Sequence, residues 1–509
     1  SVMVRNSLVY DQSFHEKHRV TFQLGVETNS IQNKGGYNKR YGYLPDRGET
    51  FATPPLIYYE RGEAVTNIAI ANGAASVVNR KDNALSEYLS AVYNYNDLYI
   101  LNVNGRVDAS NRFGQDKNRR FEPTWSTGIK WRVANEPFIQ KLNWLNNLDL
   151  YASFGYQGNA VTSVSPYLIA YDGGLDNRYN EYVLNIKSLP YPNLGWEKTK
   201  TYNIGLDGAL FGGRFNFTVN YFKKISDVLS SRNIPYENGI ANGVVSGSTM
   251  ENHGYDFVID IVPIRTKDFT WQLSVNTAVS RNKIEKNDRV NTLNDFLNGS
   301  AIVNGRPYST FYSYKFTGLN PENGLPMFDN MDLEHGESPM DYLIESGKFT
   351  PDFSGGLNTM FKYKNFAFYA LFSIQWGGHA RLPKLYNATD TESGLPRPEQ
   401  NVSNKLNNRW KKPGDEFHTD IPSLPGAGNE FISLPETETT QTTRTNLYHM
   451  YNLSDARTAR TDFIRCRSIS MSYEFNKGQW MDKLFLKRLR VKASMSNPFV
   501  WAFDKKWDG

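Results

Sequence analysis

Residues 202–224, YNIGLDGALFGGRFNFTVNYFKK, alternate between apolar and polar on both sides of a Phe-Gly-Gly turn. Tyr202, Ile204, Leu206 and Leu210 share one parity, and Asn203, Gly205, Asp207 and Ala209 the other. Beyond the turn, Phe215, Phe217, Val219 and Tyr221 oppose Asn216, Thr218 and Asn220. A period of two predicts a β-hairpin with one apolar face and one wet face. The same signal marks fourteen strands, at 4–10, 18–28, 86–95, 98–109, 121–132, 148–157, 197–210, 214–228, 250–263, 269–281, 352–363, 366–376, 462–473 and 488–497. Most are about nine to thirteen residues long, whereas globular strands run to roughly five or six and a tilted bilayer-crossing strand needs roughly nine to eleven.

The connections alternate as well. Short ones fall at 11–17, 96–97, 133–147, 211–213, 264–268, 364–365 and 474–487. Between them lie 29–85, 110–120, 158–196, 229–249, 283–351 and 377–461, of which only 110–120 is short. Long segments without helical periodicity are unusual in compact soluble domains, but transmembrane barrels have short periplasmic turns and long extracellular loops. The chain is therefore expected to be all-β, an antiparallel transmembrane β-barrel. Rings gather beside the short turns (Trp131, Phe211 and Phe215, Phe269 and Trp271, Tyr363 and Phe366, Tyr473 and Phe475), as an interfacial girdle requires. Two of these turns are expected to carry short helices, at 137–145 and 479–486, each with a tryptophan, Trp144 and Trp480.

Composition narrows the classes. Aromatics make up 14% of the 509 residues, yet mean hydropathy is −0.56, so apolar side chains are dispersed singly. The longest apolar run, 366–372, is far short of a spanning helix. A net charge of +5 with scattered Lys and Arg gives no nucleic-acid surface. The single cysteine, Cys466, excludes an internal disulfide framework and a multi-cysteine metal site. The chain starts at Ser1 in strand-like sequence without a signal peptide, which reads as a fragment missing its beginning.

Catalytic and metal motifs fail on spacing. His15 and His18 are three apart in a hairpin turn, not four apart on a helix as a zincin needs. DNMDLEHGE (329–337) lacks the ligand spacing of an EF-hand and reads as an acidic loop. GVVSGS (243–248) is not a nucleophile elbow. The expectation is no enzyme, no cofactor and no metal.

Several segments together resemble the SusC-like TonB-dependent transporters of Bacteroidetes outer membranes. NVNGRVDASNRFGQDKNRRFEPTWSTGIKWRVANEPF (102–138) is similar to that family's run of strand, RFG loop, strand and W-x-x-x-x-E-x-F turn. LDLYASFGYQGN (148–159) resembles its strand ending in Gly-Asn. NLGWEKTKTYNIGLDGALFGGRFNFTVNYFKKISDVL (193–229) is the most specific match, with WEKT, NIGLD and the YFKK segment in order around one hairpin. The resemblance continues through MENHGYDFVIDI (250–261), GLNPENGLPMF (318–328), TPDFSGGLN (350–358) and NPFVWAFDKKWDG (497–509).

The resemblance implies a barrel of 22 strands, of which residues 1–509 would be the later part, about fourteen strands, with the plug domain, the first barrel strands and the last strand absent. It also implies active import of an oligosaccharide or oligopeptide across the outer membrane. A SusD-like surface lipoprotein would be the lid, and TonB would drive the plug. A siderophore or vitamin receptor of another TonB-dependent branch, and a surface β-repeat adhesin, are the rival readings. For ligand contact the candidates lie at extracellular strand ends: Trp376 and His379 in QWGGHARL, and Asn111 with Arg112 in the short loop that leaves the mouth open. Rings beside amide or Arg groups suit sugars and peptides alike; girdle membership or loop packing is the competing role for each.

Overall fold

A computed structural model of the chain describes residues 1–38, 75–112, 121–159, 194–233, 242–287, 289–333, 335–390, 400–426, 444–476 and 486–507, with shorter stretches of the intervening connections. Fourteen strands form one antiparallel sheet in strict chain order. They are β1 (Val2–Phe14), β2 (His18–Asn38), β3 (Ala75–Tyr95), β4 (Tyr99–Ser110), β5 (Phe121–Arg132), β6 (Leu145–Asn159) and β7 (Glu197–Leu210). The sheet continues with β8 (Phe215–Asn233), β9 (Asn242–Arg265), β10 (Phe269–Lys286), β11 (Phe353–Tyr363), β12 (Phe366–Trp376), β13 (Phe463–Phe475) and β14 (Leu489–Ala502). All fourteen strands expected from the alternation are present.

Several strands run well past their expected ends. β2 and β3 have 21 residues each and stay in register from His18↔Tyr95 to Asn38↔Ala75; β9 reaches 24. The extensions lie on the long-connection side. There SIQNKGGYN carries no apolar parity, because both faces meet water, and the period-two signal disappears although the ladder continues.

The short turns are tight. Asn96 and Asp97 both have positive φ (52° and 52°), as do His15 and Glu16 (48° and 60°), in three-residue loops between the paired Tyr95 and Tyr99 and between Phe14 and His18. Phe211, Gly212 and Gly213 make three successive positive-φ residues, 55°, 68° and 74°. The two glycines are there for that conformation, since each would be strained with any side chain.

The turn at 133–144 is not the helix expected at 137–145. It holds one 3-10 turn, Val133–Asn135, followed by isolated bonds such as Ile139 N–H to Glu136 O at 2.9 Å, before β6 starts at Leu145. The bonds of Ile139 and Gln140 N–H to Glu136 O and of Leu142 N–H to Ile139 O close separate turns that do not run on into a helix. Of the other expected helix, 479–486, Met481 and Lys483 are helical, and Trp480 lies outside the described residues.

The densely buried core is not in the sheet. The segments 289–351 and 377–461, read from the sequence as structureless loops, pack on each other. Thr310–Tyr314 pairs with Leu343–Lys348, and two short helices, α1 (Leu293–Asn298) and α2 (Leu447–Asn452), flank them. One cluster joins Phe296, Tyr312, Tyr314, Tyr342 and Met450. A second joins Leu385, Tyr386, Leu406, Tyr448 and Tyr451. Arg381, from the second segment, braces the first cluster: its guanidinium donates to the carbonyls of Leu297 (2.8 Å), Leu453 (2.8 Å) and Tyr312 and to Ser313 Oγ (3.1 Å), and lies 5.0 Å from the Phe311 ring. Burial pushes its pKa down to about 10.

Candidate functional site

Register carries one face across the whole sheet. Tyr202 pairs with Phe154, and the row continues through Thr127, Val103, Ala91 and Phe22 to Tyr10. On the same face, four residues further along β7, Leu206 pairs with Val219, and that row leads through Phe257, Thr277, Gly355, Ile374 and Ile464 to Trp501. These apolar side chains are open to the surroundings, Ile204 at 62%, Ile129 at 61% and Trp501 at 66%. A contiguous apolar surface of this extent needs an apolar solvent. At its short-turn edge Tyr99 stacks on Trp131 (6.4 Å), Trp144 meets Phe211 (6.2 Å) and Trp271 stacks on Phe361 (5.5 Å), which is a ring girdle.

The intervening rows form the opposite wall. Thr201, Gly155, Ser126, Asn104, Ser90 and Gln23 are successive partners. Ser90 Oγ donates to Asn104 Oδ1 at 2.8 Å, Asn104 Nδ2 to Ser126 Oγ at 3.3 Å, and Asn203 Nδ2 to Ser153 Oγ at 3.2 Å. A cavity of about 490 Å³ opens on this ladder. Short hydroxyl and amide side chains that bond along the wall leave room for a solute or a plug and satisfy one another meanwhile.

A second inward feature escaped the sequence reading. Both pairings of β13 shift between Cys466 and Ser468, so Arg467 is an extra residue at a β-bulge, a device that re-aims a side chain. Its Nε donates to Ser373 Oγ at 3.1 Å, and it lines a cavity of about 590 Å³ with Asp256, Asn276 and Ser354. The signal was in the sequence: apolar parity flips between Ile464 and Ile469.

The four mouth residues do not gather. Asn111 Nδ2 donates to Lys81 O at 3.0 Å, and its Oδ1 accepts the Asn83 N–H at 2.9 Å, so it stitches β4 to β3. Arg112 Nε donates to Asp82 Oδ1 at 2.7 Å, and Arg80 holds the other oxygen of the same carboxylate at 2.8 Å. Trp376 pairs with Phe353 on the outward parity, meets Phe503 edge-on at 5.0 Å and has the Arg460 guanidinium 5.6 Å from its ring. That is the geometry of an upper-belt ring, not of a ligand platform. His379 is half-buried, with an unpartnered Nδ1. Burial, then Arg460 and Lys348, lowers its pKa, against the opposing pull of Asp462 and Asp352. β5 to β11 separate the two pairs.

The profile described as TonB dependent receptor-like, beta-barrel, matches residues 4–454. The chain belongs to this family. The outward rows thus face outer-membrane hydrocarbon and the inward rows the barrel lumen. TonB-dependent receptor P3 of Formosa agariphila is 27% identical over 78% of this chain and 42% of its own. TonB-dependent receptor SusC of Bacteroides thetaiotaomicron is 31% identical over 56% of this chain and 30% of its own. Among solved structures, that of the RagAB peptide transporter superposes with a TM-score of 0.74 at 21% identity, covering 100% of this chain and 52% of that one. The chain spans about half the length of these proteins or less, and at that identity the last comparison establishes the fold.

Proposed function

We propose that this SusC-like barrel wall serves an active importer of oligomeric nutrients, oligosaccharide or oligopeptide, that works with a SusD-like surface lipoprotein as its lid and draws energy from TonB through a plug. The observation that carries this reading is the polar inward ladder from Gln23 through Ser90, Asn104, Ser126 and Gly155 to Thr201, together with cavities of about 490 and 590 Å³ that open on the inward face, hydrophilic as passage of an oligomer requires. The likeness to SusC and to a structure described as a peptide transporter supports the substrate class at that breadth.

A lid needs a docking surface. Between β6 and β7, the hairpin Ile169–Asp176 with Glu181–Ser188 stands out from the sheet. Its Tyr182, Leu184 and Ile186, on one parity, are exposed by 81%, 73% and 45%. A row of this kind outside the membrane marks a protein contact. Of the mouth residues, Arg112, ion-paired with Asp82 beside the end of β4, is the one this reading offers for ligand contact.

The test is purification of the full transporter from native membranes in mild detergent. The lipoprotein is expected to co-purify, and Tyr182→Ser with Leu184→Ser to release it while the barrel stays folded. An intact barrel with no such companion would sink the lid reading. Uptake of labelled glycan or peptide that persists without TonB would sink active import.

A further inference from the structure

We propose that the inward wall between β9 and β13 is a subsite for an extended oligopeptide, its terminal carboxylate on Arg467 and its terminal ammonium on Asp256. The inference rests on the importer reading above and narrows its substrate. At the bulge of β13 Arg467 has no cross-strand partner of its own, because Phe372 pairs with Cys466 and Leu371 with Ser468. Its Nε donates to Ser373 Oγ at 3.1 Å on the inward face. That bond orients the guanidinium and leaves both Nη groups, the pair that grips a carboxylate as a fork, without a partner among the described residues.

Asp256 lines the same cavity of about 590 Å³. It pairs across the ladder with Asn220 and Ala278, neither of them a cation, and has no ion pair among the described residues. A carboxylate and a guanidinium thus share one cavity without meeting each other. Between them Asn276 pairs with Gly356, where a Cβ would lie 2.4 Å from the Asn276 Oδ1, so the glycine makes room for the amide against the wall. An amide both donates and accepts, as a peptide group requires of its partner. Val258 and Leu371, on the same parity as Asn276 and Ser468, add apolar contact.

Span and charge select the occupant. β9 and β13 are four strand steps apart, roughly 19 Å along a wall whose strands lie about 4.8 Å from one another. An extended peptide covers roughly 3.3–3.6 Å per residue, so about five residues join the two charges. A neutral glycan has no group for either end, and an acidic glycan that met Arg467 would be repelled by Asp256. The two rings at the edge of the cavity, Phe257 and Phe372, belong to outward rows, so no aromatic face is offered to a sugar. Height agrees: Arg467 lies four residues inside the mouth end of β13, Phe463, and eight from its short-turn end, Phe475.

The test equilibrates the full transporter, purified in mild detergent, with a proteolytic digest of casein presented free, C-amidated or N-acetylated, and identifies retained peptides by mass spectrometry. Maltopentaose and pentagalacturonate are the glycan arms. Free peptides of about five residues are expected to be retained, and capping either terminus to cut retention about tenfold, the scale of one charge-assisted bond. Arg467→Gln is expected to lower retention of free and acetylated peptides about tenfold and to leave amidated ones unchanged. Asp256→Asn should instead weaken free and amidated peptides and spare acetylated ones. A merely structural role does not match each side chain to one terminus. Should Arg467→Gln fail to reach its folded, heat-modifiable form, Asp256→Asn carries the test alone. Equal retention of free and capped peptides, or a folded variant that lowers all three classes alike, overturns the proposal. Preference for either glycan overturns it and leaves the importer reading standing. Retention of no oligomer overturns it too, and the importer reading is then decided by TonB-dependent uptake.

Discussion

Trp131 and Glu136 are joined across one periplasmic turn by a hydrogen bond of 2.9 Å from the indole N–H to the carboxylate, and the same oxygen accepts Tyr99 Oη at 2.7 Å. The W-x-x-x-x-E spacing seen in the sequence is thus a clamp. It fixes the belt rings of β4 and β5 and anchors the turn that follows. Glu136 is nine-tenths buried, so its loss leaves two donors unpaired near lipid. Glu136→Ala is expected to cost about 1.5–3 kcal/mol, the range for hydrogen bonds to a charged group. Trp131→Phe keeps the ring and loses one donor, and the two changes should be strongly non-additive in urea unfolding from vesicles. Additive losses would mean that the bond carries no energy.

Arg381 holds the two long extracellular segments as one body through carbonyls of Leu297, Tyr312 and Leu453. None of its partners among the described residues is a carboxylate, so what it contributes is order in three chain segments. Arg381→Met is expected to leave those carbonyls unpaired, at about 1–3 kcal/mol for each buried group that water cannot reach. Limited trypsin digestion should then cut within 289–351 and 377–461 at least about tenfold faster, since 1.4 kcal/mol is already a factor of ten in the open population, with the barrel itself still resistant. Unchanged digestion would deny Arg381 this role.

Strand number, order and facing were legible in the sequence because a sheet between water and lipid writes its two solvents onto alternate residues, as Asn203 and Ile204 do. The signal stops where the solvents become the same. β2 and β3 run on past Thr28 unseen, since above the bilayer both faces are wet. The packed segments escaped for another reason: the partners of Tyr312 and Tyr386 are distant in sequence, and their short strands and six-residue helices are too brief for a period to register. For Trp376 the sequence leaves ligand contact and girdle membership both open, and its outward parity with Phe353 favours the girdle.

His379 lies half-buried among Arg460, Lys348, Asp462 and Asp352, and its pKa falls below the ordinary histidine value, chiefly through burial. The folded state therefore binds a proton less readily than the unfolded one. Its contribution to stability is complete above the ordinary value and is lost as pH falls from there through the folded-state value. The extracellular body is expected to loosen on acidification below about 6.5, and His379→Gln to flatten that part of the profile. Protease sensitivity of the 377–461 segment against pH reads this directly; an identical pH profile in the variant would remove His379 as its cause.

Val219 pairs with Leu206 on one side and Phe257 on the other, all outward, while its neighbour Asn220 pairs with Gly205 and Asp256 on the lumenal face. Adjacent residues of one strand therefore meet opposite solvents. Val219→Arg puts a cation into hydrocarbon and is expected to cost roughly 2–4 kcal/mol near the bilayer midplane. Asn220→Arg, one position along, reaches the watery lumen and is expected to cost well under half of that. Both are measured by reversible unfolding of the full barrel in phospholipid vesicles. Equal costs would erase the distinction between the faces, and a larger cost at Asn220 would reverse it, turning inside out every row that the register links to β8.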